Sequence, residues 1–186
     1  QDLESEYARI EGNGISAITK LRTGKAVTHE DQDSVIAFLD MHLHRGRYAD
    51  RANVRVPAVL MMTDGSVKDT KLKLGDMLLL SQEHPETLRL TSLGLQDWTW
   101  RIHEVGNLAT GDGAVLLWRP TADDELTTIT FPLSPTQLLV IGDVLPEKPF
   151  EMVNLHIAKN CRRWLVGVRG SLNLAEAAGI VDQRTA

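Results

Sequence analysis

The hydrophobic periodicity of this chain changes once, near Trp98, and that change constrains the fold more than any other feature. Before it, apolar residues recur at helical spacing; after it, Trp98, Trp100 and Ile102 alternate with polar residues. A period of 3.6 residues is typical of an amphipathic helix, and a period of two is typical of a strand with one buried face. A helical first half followed by strands indicates an α+β fold rather than alternating βα units.

Two amphipathic helices are predicted at the start of the chain. The first covers residues 2–23, and Gly24 stands where a helix C-terminus favours glycine. The second runs from about 30 to 49, after Thr28–Asp31, which resembles a capping box. We expect the two helices to pack as an antiparallel pair.

The next segment is less regular. The apolar run Ala58–Met62 follows Pro57 and is compatible with a helix or with a buried strand; we expect a helix. Pro85 fits the first turn of a short helix that runs to about Gln96.

The second half is predicted to be mainly strands. An antiparallel meander of strands near 98–103, 114–118, 126–131 and 137–141 precedes a helix marked by Phe150 to Trp164 and a closing strand at 165–168. The predicted fold is one α+β domain over 1–186, in which N-terminal helices pack on an antiparallel sheet closed by a C-terminal helix. Within it, residues 1–96 are mainly helical, 97–170 carry the strands and one helix, and 171–186 form a tail.

Composition excludes several classes of protein. The 186 residues are 42% hydrophobic and 24% charged, as in ordinary globular domains, and no apolar run is long enough to cross a membrane. Lys and Arg total 20 against 25 Asp and Glu, evenly spread, which argues against nucleic-acid binding. The one cysteine, Cys161, rules out an internal disulfide and Cys-rich metal sites and suits a cytoplasmic location.

Several polar residues fall where apolar ones belong. At about 100° per residue, Glu11 lies within the apolar arc of the first helix, and His42 lies inward on the second. Arg45 lies at the border of that arc, and His44 points outward. Glu11 with Arg45 or His42 forms either a structural ion pair between the helices or part of a pocket. In the pocket, Arg45 binds an anion and Glu11 or His42 acts as general base.

Asp112 and Asn154 are the other candidates. Asp112 stands between Gly111 and Gly113, where a ligand or a backbone can approach closely, although Gly-Asp-Gly is also an ordinary turn triplet. Asn154 flanks the apolar stripe of the last helix, where it caps the helix, bonds a neighbouring loop or contacts a ligand. The common nucleotide, zinc, hydrolase and calcium motifs are absent, so the sequence predicts no metal site and leaves any cofactor unknown.

The order of several short motifs resembles a widespread uncharacterised bacterial family of unknown function. The resemblance rests on Glu11-Gly12, Arg45, the Trp98–Val105 strand, Leu108–Val115, Phe131–Pro135 and Val153-Asn154. It implies that Glu11, Arg45, Asp112, residues 132–135 and Asn154 are the distinguishing positions of the family.

Two departures from the family pattern matter. Gly111, Gly113 and Ala114 stand where the family has Ser, Asn and Pro, which puts a side-chain hydrogen-bonding role of this turn in doubt. The family also carries an N-terminal segment with a His-x-Val-Pro-like start, and the present sequence begins at Gln1 without it. We therefore expect an upstream segment.

Two functions remain open, and the sequence does not decide whether the protein is an enzyme. The first is a binding, assembly or regulatory module with a protein partner or a second copy, and it predicts an exposed apolar patch around Ala58–Met62 or Trp98–Trp118. The alternative is a hydrolytic enzyme that acts on a small molecule or nucleotide. Its catalytic residues would be Glu11, His42 and Asp112, and its ligand-binding residues Arg45 and Asn154.

Overall fold

The structure is a computed structural model that describes residues 3–48, 55–61, 66–73, 89–121, 123–145 and 152–170. The chain divides into two compact units, one formed by Gln1–Gly46 with Arg89–Ala186 and the other by Arg47–Leu88. The single domain predicted over 1–186 stays a prediction. The predicted tail, 171–186, lies outside the described residues.

Helix α1 (Leu3–Arg22) ends as the sequence predicts. Gly24 adopts a left-handed φ of 65°. Its N–H donates to the carbonyl of Leu21 at 3.1 Å, and the N–H of Lys25 donates to the carbonyl of Lys20 at 3.0 Å. These two bonds satisfy carbonyls that the helix leaves open, and glycine is favoured here because it takes this φ without steric cost.

Helix α2 (His29–Tyr48) begins at the predicted capping box. The N–H of Asp31 donates to Thr28 Oγ1 at 3.2 Å, and the N–H of Thr28 donates to Asp31 Oδ2 at 2.9 Å. Lys20 at the end of α1 adds an ion pair with Asp31 at 2.6 Å. The Lys20 hydrogen bond is the largest of the effects that lower the pKa of Asp31. Both helix ends that face this connection are thereby satisfied.

The Arg47–Leu88 unit contains an antiparallel hairpin, in which β1 (Arg55–Met61) pairs with β2 (Val67–Lys73) along its whole length. The prediction of a helix over Ala58–Met62 is therefore wrong for residues 58–61, and Met62 lies outside the described residues. A five-residue apolar run is short for a helix, and pairing with β2 supplies the backbone hydrogen bonds that a helix would otherwise provide.

The main sheet has four antiparallel strands in the order β3-β7-β6-β5. They are β3 (Trp100–Glu104), β5 (Leu116–Trp118), β6 (Thr128–Ser134) and β7 (Gln137–Gly142). The predicted meander holds for β5, β6 and β7, but β3 pairs with β7 at the opposite edge from β5. The chain therefore crosses the sheet between β3 and β5, and the predicted order is wrong at that step.

That crossing contains a short strand that the sequence does not predict. β4 (Thr110–Gly111) pairs with β8 (Leu165–Val166) in a separate two-stranded sheet. Two residues are too few for alternation to be visible in a sequence. β8 lies within the predicted closing strand at 165–168.

Two predicted helices differ from the observed ones. Helix α3 (Val153–Asn160) is shorter than predicted, because Cys161 takes an extended backbone with φ −65° and ψ 139°. In the described part of the segment predicted to be helical up to Gln96, two short 3-10 helices, Leu90–Ser92 and Leu95–Asp97, replace an α-helix. Gly94 lies between them at φ 63° and breaks the helical path.

Helices cover both faces of the main sheet. Phe131 on β6 contacts the ring of Phe38 in α2, with centroids 6.0 Å apart. Trp118 on β5 lies opposite Thr128 of β6 and contacts the ring of His156 in α3 at 5.0 Å. Because Thr128 and Phe131 are an odd number of residues apart on one strand, they point to opposite faces. The N-terminal helices thus pack on one face and α3 on the other, which confirms the predicted α+β fold.

The core of the larger unit joins these layers. It takes apolar side chains from both N-terminal helices, from the central strands β6 and β7, and from α3. Its fully buried members include Ala17, Val35, Ile36, Leu39, Ile129, Leu138, Leu139, Val140, Ile141, Val153 and Ile157.

The two glycines of α1 predict opposite effects of alanine. A Cβ at Gly14 would lie 2.5 Å from the Cβ of Phe38, whereas a Cβ at Gly12 would meet nothing within 4 Å. We expect Gly14→Ala to lower the free energy of unfolding by about 1–3 kcal/mol through overpacking. Gly12→Ala should raise it by roughly 0.5–1 kcal/mol, because alanine loses less backbone entropy in a helix. Urea denaturation of both variants checks this, and equal effects of the two would contradict the close approach of α1 and α2.

Candidate functional site

Asp112 lies in the turn between β4 and β5 and is almost fully buried, with 9% of its surface exposed. Its Oδ1 accepts the backbone N–H of Arg162 at 3.0 Å, and its Oδ2 accepts the backbone N–H of Arg163 at 3.0 Å. Both carboxylate oxygens thus bind the chain just after α3. Charge-assisted bonds of this kind are stronger than neutral ones.

The glycines on either side of Asp112 are required by close packing. A Cβ at Gly111 would overlap the Sγ of Cys161, and a Cβ at Gly113 would overlap the backbone of Asn160. The sequence allows either a ligand or a backbone to approach this triplet, and in the structure a backbone does.

His42 lies beside the same turn. Its Nε2 is 2.9 Å from the carbonyl oxygen of Gly111, and because a carbonyl only accepts, Nε2 carries the proton. The ring stacks on Phe38 at 6.0 Å and meets Phe131 edge-on at 5.7 Å. The structure therefore brings together two predicted catalytic residues, His42 and Asp112, and binds both to backbone groups.

Asn154 uses both ends of its amide on one loop. Its Oδ1 accepts the N–H of Ala109 at 2.8 Å, and its Nδ2 donates to the carbonyl of Asn107 at 2.8 Å. Asn107 has a positive φ of 58°, which is uncommon for a residue other than glycine. Asn154 thereby fixes this loop against α3.

Glu11 and Arg45 are not shown to meet. Glu11 is half-buried in α1. Arg45 lies in α2, but its side chain is outside the described residues. The ion pair between the two helices, and the anion-binding role of Arg45, stay predictions.

A buried polar cluster on α2 escaped the sequence prediction. Asp40, 2% exposed, accepts the N–H of Leu90 at 2.7 Å and pairs with the guanidinium of Arg89 at 2.8 Å. His44 Nε2 lies 3.5 Å from the same carboxylate, so the prediction that His44 points outward is wrong. Residues 89–90 cover this side of α2. The only local sequence signal for the polar cluster is the four-residue spacing of Asp40 and His44.

A cleft of about 350 Å³ opens between β5 and α3, in the size range of small-molecule sites. Trp118 and His156 meet there, and the indole N–H of Trp118 donates to Thr130 Oγ1 at 2.8 Å. Burial, and secondarily the charge of Lys159, lowers the pKa of His156 from 6.5, so this imidazole is neutral at physiological pH. The cleft is lined by Leu116, Leu117, Trp118, Arg119, Pro120, Thr121, His156 and Asn160.

Three large apolar side chains are exposed within five consecutive residues that include β8. Trp164 is 47% exposed, Val166 56% and Val168 42%. Leu165 and Gly167, which alternate with them, are less exposed. We call residues 164–168 the β8 surface. The predicted location of an apolar patch is different. Among the described residues between Trp98 and Trp118, Ile102 is the most exposed large apolar side chain, at 36%. The side chains of Ala58–Met62 lie outside the described residues.

The described residues offer neither a membrane span nor a metal site. No helix in this part of the chain is both long and apolar enough to cross a bilayer. No group of three or more His, Cys, Asp or Glu side chains in the same residues could hold a metal ion.

Comparison of the chain with protein-family models, with curated proteins and with solved structures found no match. The resemblance to an uncharacterised bacterial family therefore stays a prediction.

Asp112→Asn should destabilise the protein. An amide presents one NH₂ group where both backbone partners are donors, so one hydrogen bond is lost and two donors face each other. We expect the free energy of unfolding to fall by about 1–3 kcal/mol in urea denaturation. Asp123→Asn, at an exposed position, is the control and should have little effect. Equal stability of the two variants would refute the anchoring role of Asp112.

His156 predicts a pH dependence of stability. Its pKa is lower in the folded protein than in the unfolded chain, so the unfolded state binds the proton more tightly. The contribution of His156 is complete above its unfolded pKa near 6.5 and is lost as the pH falls below it. Relative to His156→Gln, the wild-type protein should lose stability between about pH 7.5 and about pH 5.5 in thermal unfolding.

Lys159→Gln should weaken that pH dependence only in part, because burial is the larger cause of the lowered pKa. Parallel pH profiles of wild type and His156→Gln would show that His156 is not desolvated by the fold.

Proposed function

We propose that this protein is a binding module that docks another macromolecule through the β8 surface. The observation that carries the proposal is the exposure of Trp164, Val166 and Val168 within five consecutive residues. Large apolar groups that are exposed singly need no explanation, but a contiguous group of them is typical of an interaction site. Tryptophan is also enriched among the residues that dominate binding energy at interfaces.

The state of the catalytic candidates supports a module rather than an enzyme. Both carboxylate oxygens of Asp112 accept hydrogen bonds from backbone N–H groups, and Nε2 of His42 donates a hydrogen bond to a carbonyl. Asn154 uses both ends of its amide in the same way. A hydrolytic mechanism through these residues would first have to break contacts that hold the fold together.

We also propose that the protein is bacterial and cytoplasmic. The order of short motifs resembles an uncharacterised bacterial family, which supports a bacterial source. A single cysteine supports a cytoplasmic location, where disulfides are rare.

Photo-crosslinking tests the binding function. With p-benzoylphenylalanine at position 164, we expect discrete adducts on irradiation of cells that naturally produce the protein, identified by mass spectrometry of the purified bands. The reactive group would lie within the docked partner, where contacts are close and water is excluded. An adduct of twice the monomer mass would identify a second copy as the partner.

The matched control places the same group at position 15, which is 57% exposed in α1. Adducts of equal yield at both positions would reflect random collision and would refute docking at the β8 surface. Val166→Ser, combined with the reactive group at 164, should reduce the adduct yield without unfolding the chain, since Val166 is exposed.

A further inference from the structure

The cleft between β5 and α3 is lined by none of the residues of the β8 surface. Leu116 and Trp118 are two residues apart on β5, so both side chains point to the face that α3 covers. His156 and Asn160 are four residues apart in α3, so they lie on one side of that helix. These four residues line the cleft from both sides, and its volume of about 350 Å³ lies at the lower end of the range for small-molecule sites.

The interior of the cleft is aromatic, and its indole is held in place. The indole N–H of Trp118 donates to Thr130 Oγ1 at 2.8 Å, and the ring of His156 meets the indole edge-on, with centroids 5.0 Å apart. Leu116, on the same face of β5, is buried. Because these contacts fix the indole, a ligand ring that packs on it does not have to order it first. Aromatic rings that pack offset or edge-on also gain energy beyond the area that they bury.

The entrance of the cleft is positive. Arg119 follows β5, lines the cleft and is exposed. Lys159 is close enough to His156 for its charge to lower the pKa of the imidazole, although burial of the ring is the larger cause. Among the described residues that line the cleft there is no Asp or Glu, and the acidic residues 123–125 are exposed outside it. This distribution of charge favours an anion and disfavours a metal ion.

Three polar side chains of the cleft can bind that anion. Within the described part of the chain, no side-chain hydrogen bond or ion pair involves Arg119, His156 or Asn160. A guanidinium binds a carboxylate through two parallel N–H···O bonds. The neutral imidazole and the amide add N–H donors without adding charge. A few polar groups that converge on an apolar interior are typical of small-molecule sites.

We propose that this cleft binds a small aromatic carboxylate. The ligand ring packs against the indole of Trp118, and the ligand carboxylate pairs with the guanidinium of Arg119. His156 and Asn160 are further donors for the carboxylate oxygens. The site goes beyond the docking function and is independent of it, because the cleft and the β8 surface share no residue.

Proton–nitrogen correlation NMR of the whole chain tests the site, because each of the four tryptophans gives one indole N–H signal. The probe is 3-phenylpropanoate. We expect it to shift the indole signal of Trp118 saturably and to leave the signal of Trp164, on the β8 surface, unchanged. Trp118→Phe and Trp164→Phe assign the two signals, since each variant lacks one of them.

Three related compounds test the two parts of the ligand on the wild-type protein. The amide 3-phenylpropanamide has no charge and should bind at least about 10-fold more weakly, because charge-assisted hydrogen bonds are the stronger ones. Acetate has no ring to bury and should also bind at least about 10-fold more weakly. The saturated analogue 3-cyclohexylpropanoate keeps the charge and the size but not the aromatic ring, and it should bind about 3-fold more weakly.

Protein variants locate the carboxylate. Arg119→Gln should weaken the binding of 3-phenylpropanoate about 10-fold and leave that of 3-phenylpropanamide within about 2-fold, because only the acid uses the charge. Arg22→Gln is the matched control, since Arg22 is exposed at the end of α1, on the other face of the sheet. It should leave both affinities within about 2-fold. The comparison of the four compounds on the wild-type protein stands even where Arg119→Gln folds poorly.

Each remaining outcome overturns the inference. Equal affinities of 3-phenylpropanoate and its amide exclude recognition of the carboxylate. An equal affinity of acetate or of 3-cyclohexylpropanoate excludes recognition of the aromatic ring. A shift of the Trp164 signal without one of Trp118, or no shift of either signal, excludes a site in the cleft. None of these outcomes bears on docking at the β8 surface, and absence of adducts at position 164 does not bear on the cleft.

Discussion

The carboxylate of Asp112 accepts two consecutive backbone N–H groups, and through them it fixes the end of α3 to the turn that leads into β5. The carbonyl of Gly111 in the same turn meets His42 of α2. Because α2 and α3 cover opposite faces of the sheet, three layers of the fold join at one triplet. A short side chain with two acceptors and no donor is what this junction needs, and an ionised aspartate supplies it.

Much of the architecture follows from local chemistry in the sequence. The capping pair Thr28 and Asp31 and the left-handed Gly24 set the boundary between the first two helices through contacts a few residues apart. Polarity in an inward position also identified His42 as a residue that needs a partner, and the flanking glycines identified Asp112 as a point of close approach. The cost of burying a polar side chain is offset equally well by a ligand and by a backbone group. The sequence therefore does not distinguish a ligand pocket from a structural contact.

The features that the sequence does not predict depend on contacts between residues that are far apart in the chain. Asp40 finds its partner in Arg89, and β3 finds its neighbour in β7 rather than in β5. Neither choice leaves a periodic trace, because each depends on which elements the rest of the fold brings together. The exposed series of Trp164, Val166 and Val168 is visible as alternation, but in a sequence it reads equally well as a buried face.

The buried contact of Asp40 with Arg89 and Leu90 determines where the sequence of this protein can vary during evolution. Asp40 lies in α2, shortly before the chain departs into Arg47–Leu88, and its two partners are the first described residues after the chain returns. Residues outside the Arg47–Leu88 segment therefore hold the chain together just before it and just after it. Doubling the length of such a loop costs only about 0.6 kcal/mol in closure entropy. The Arg47–Leu88 segment can thus gain, lose or exchange residues while the main sheet and its helices keep their contacts.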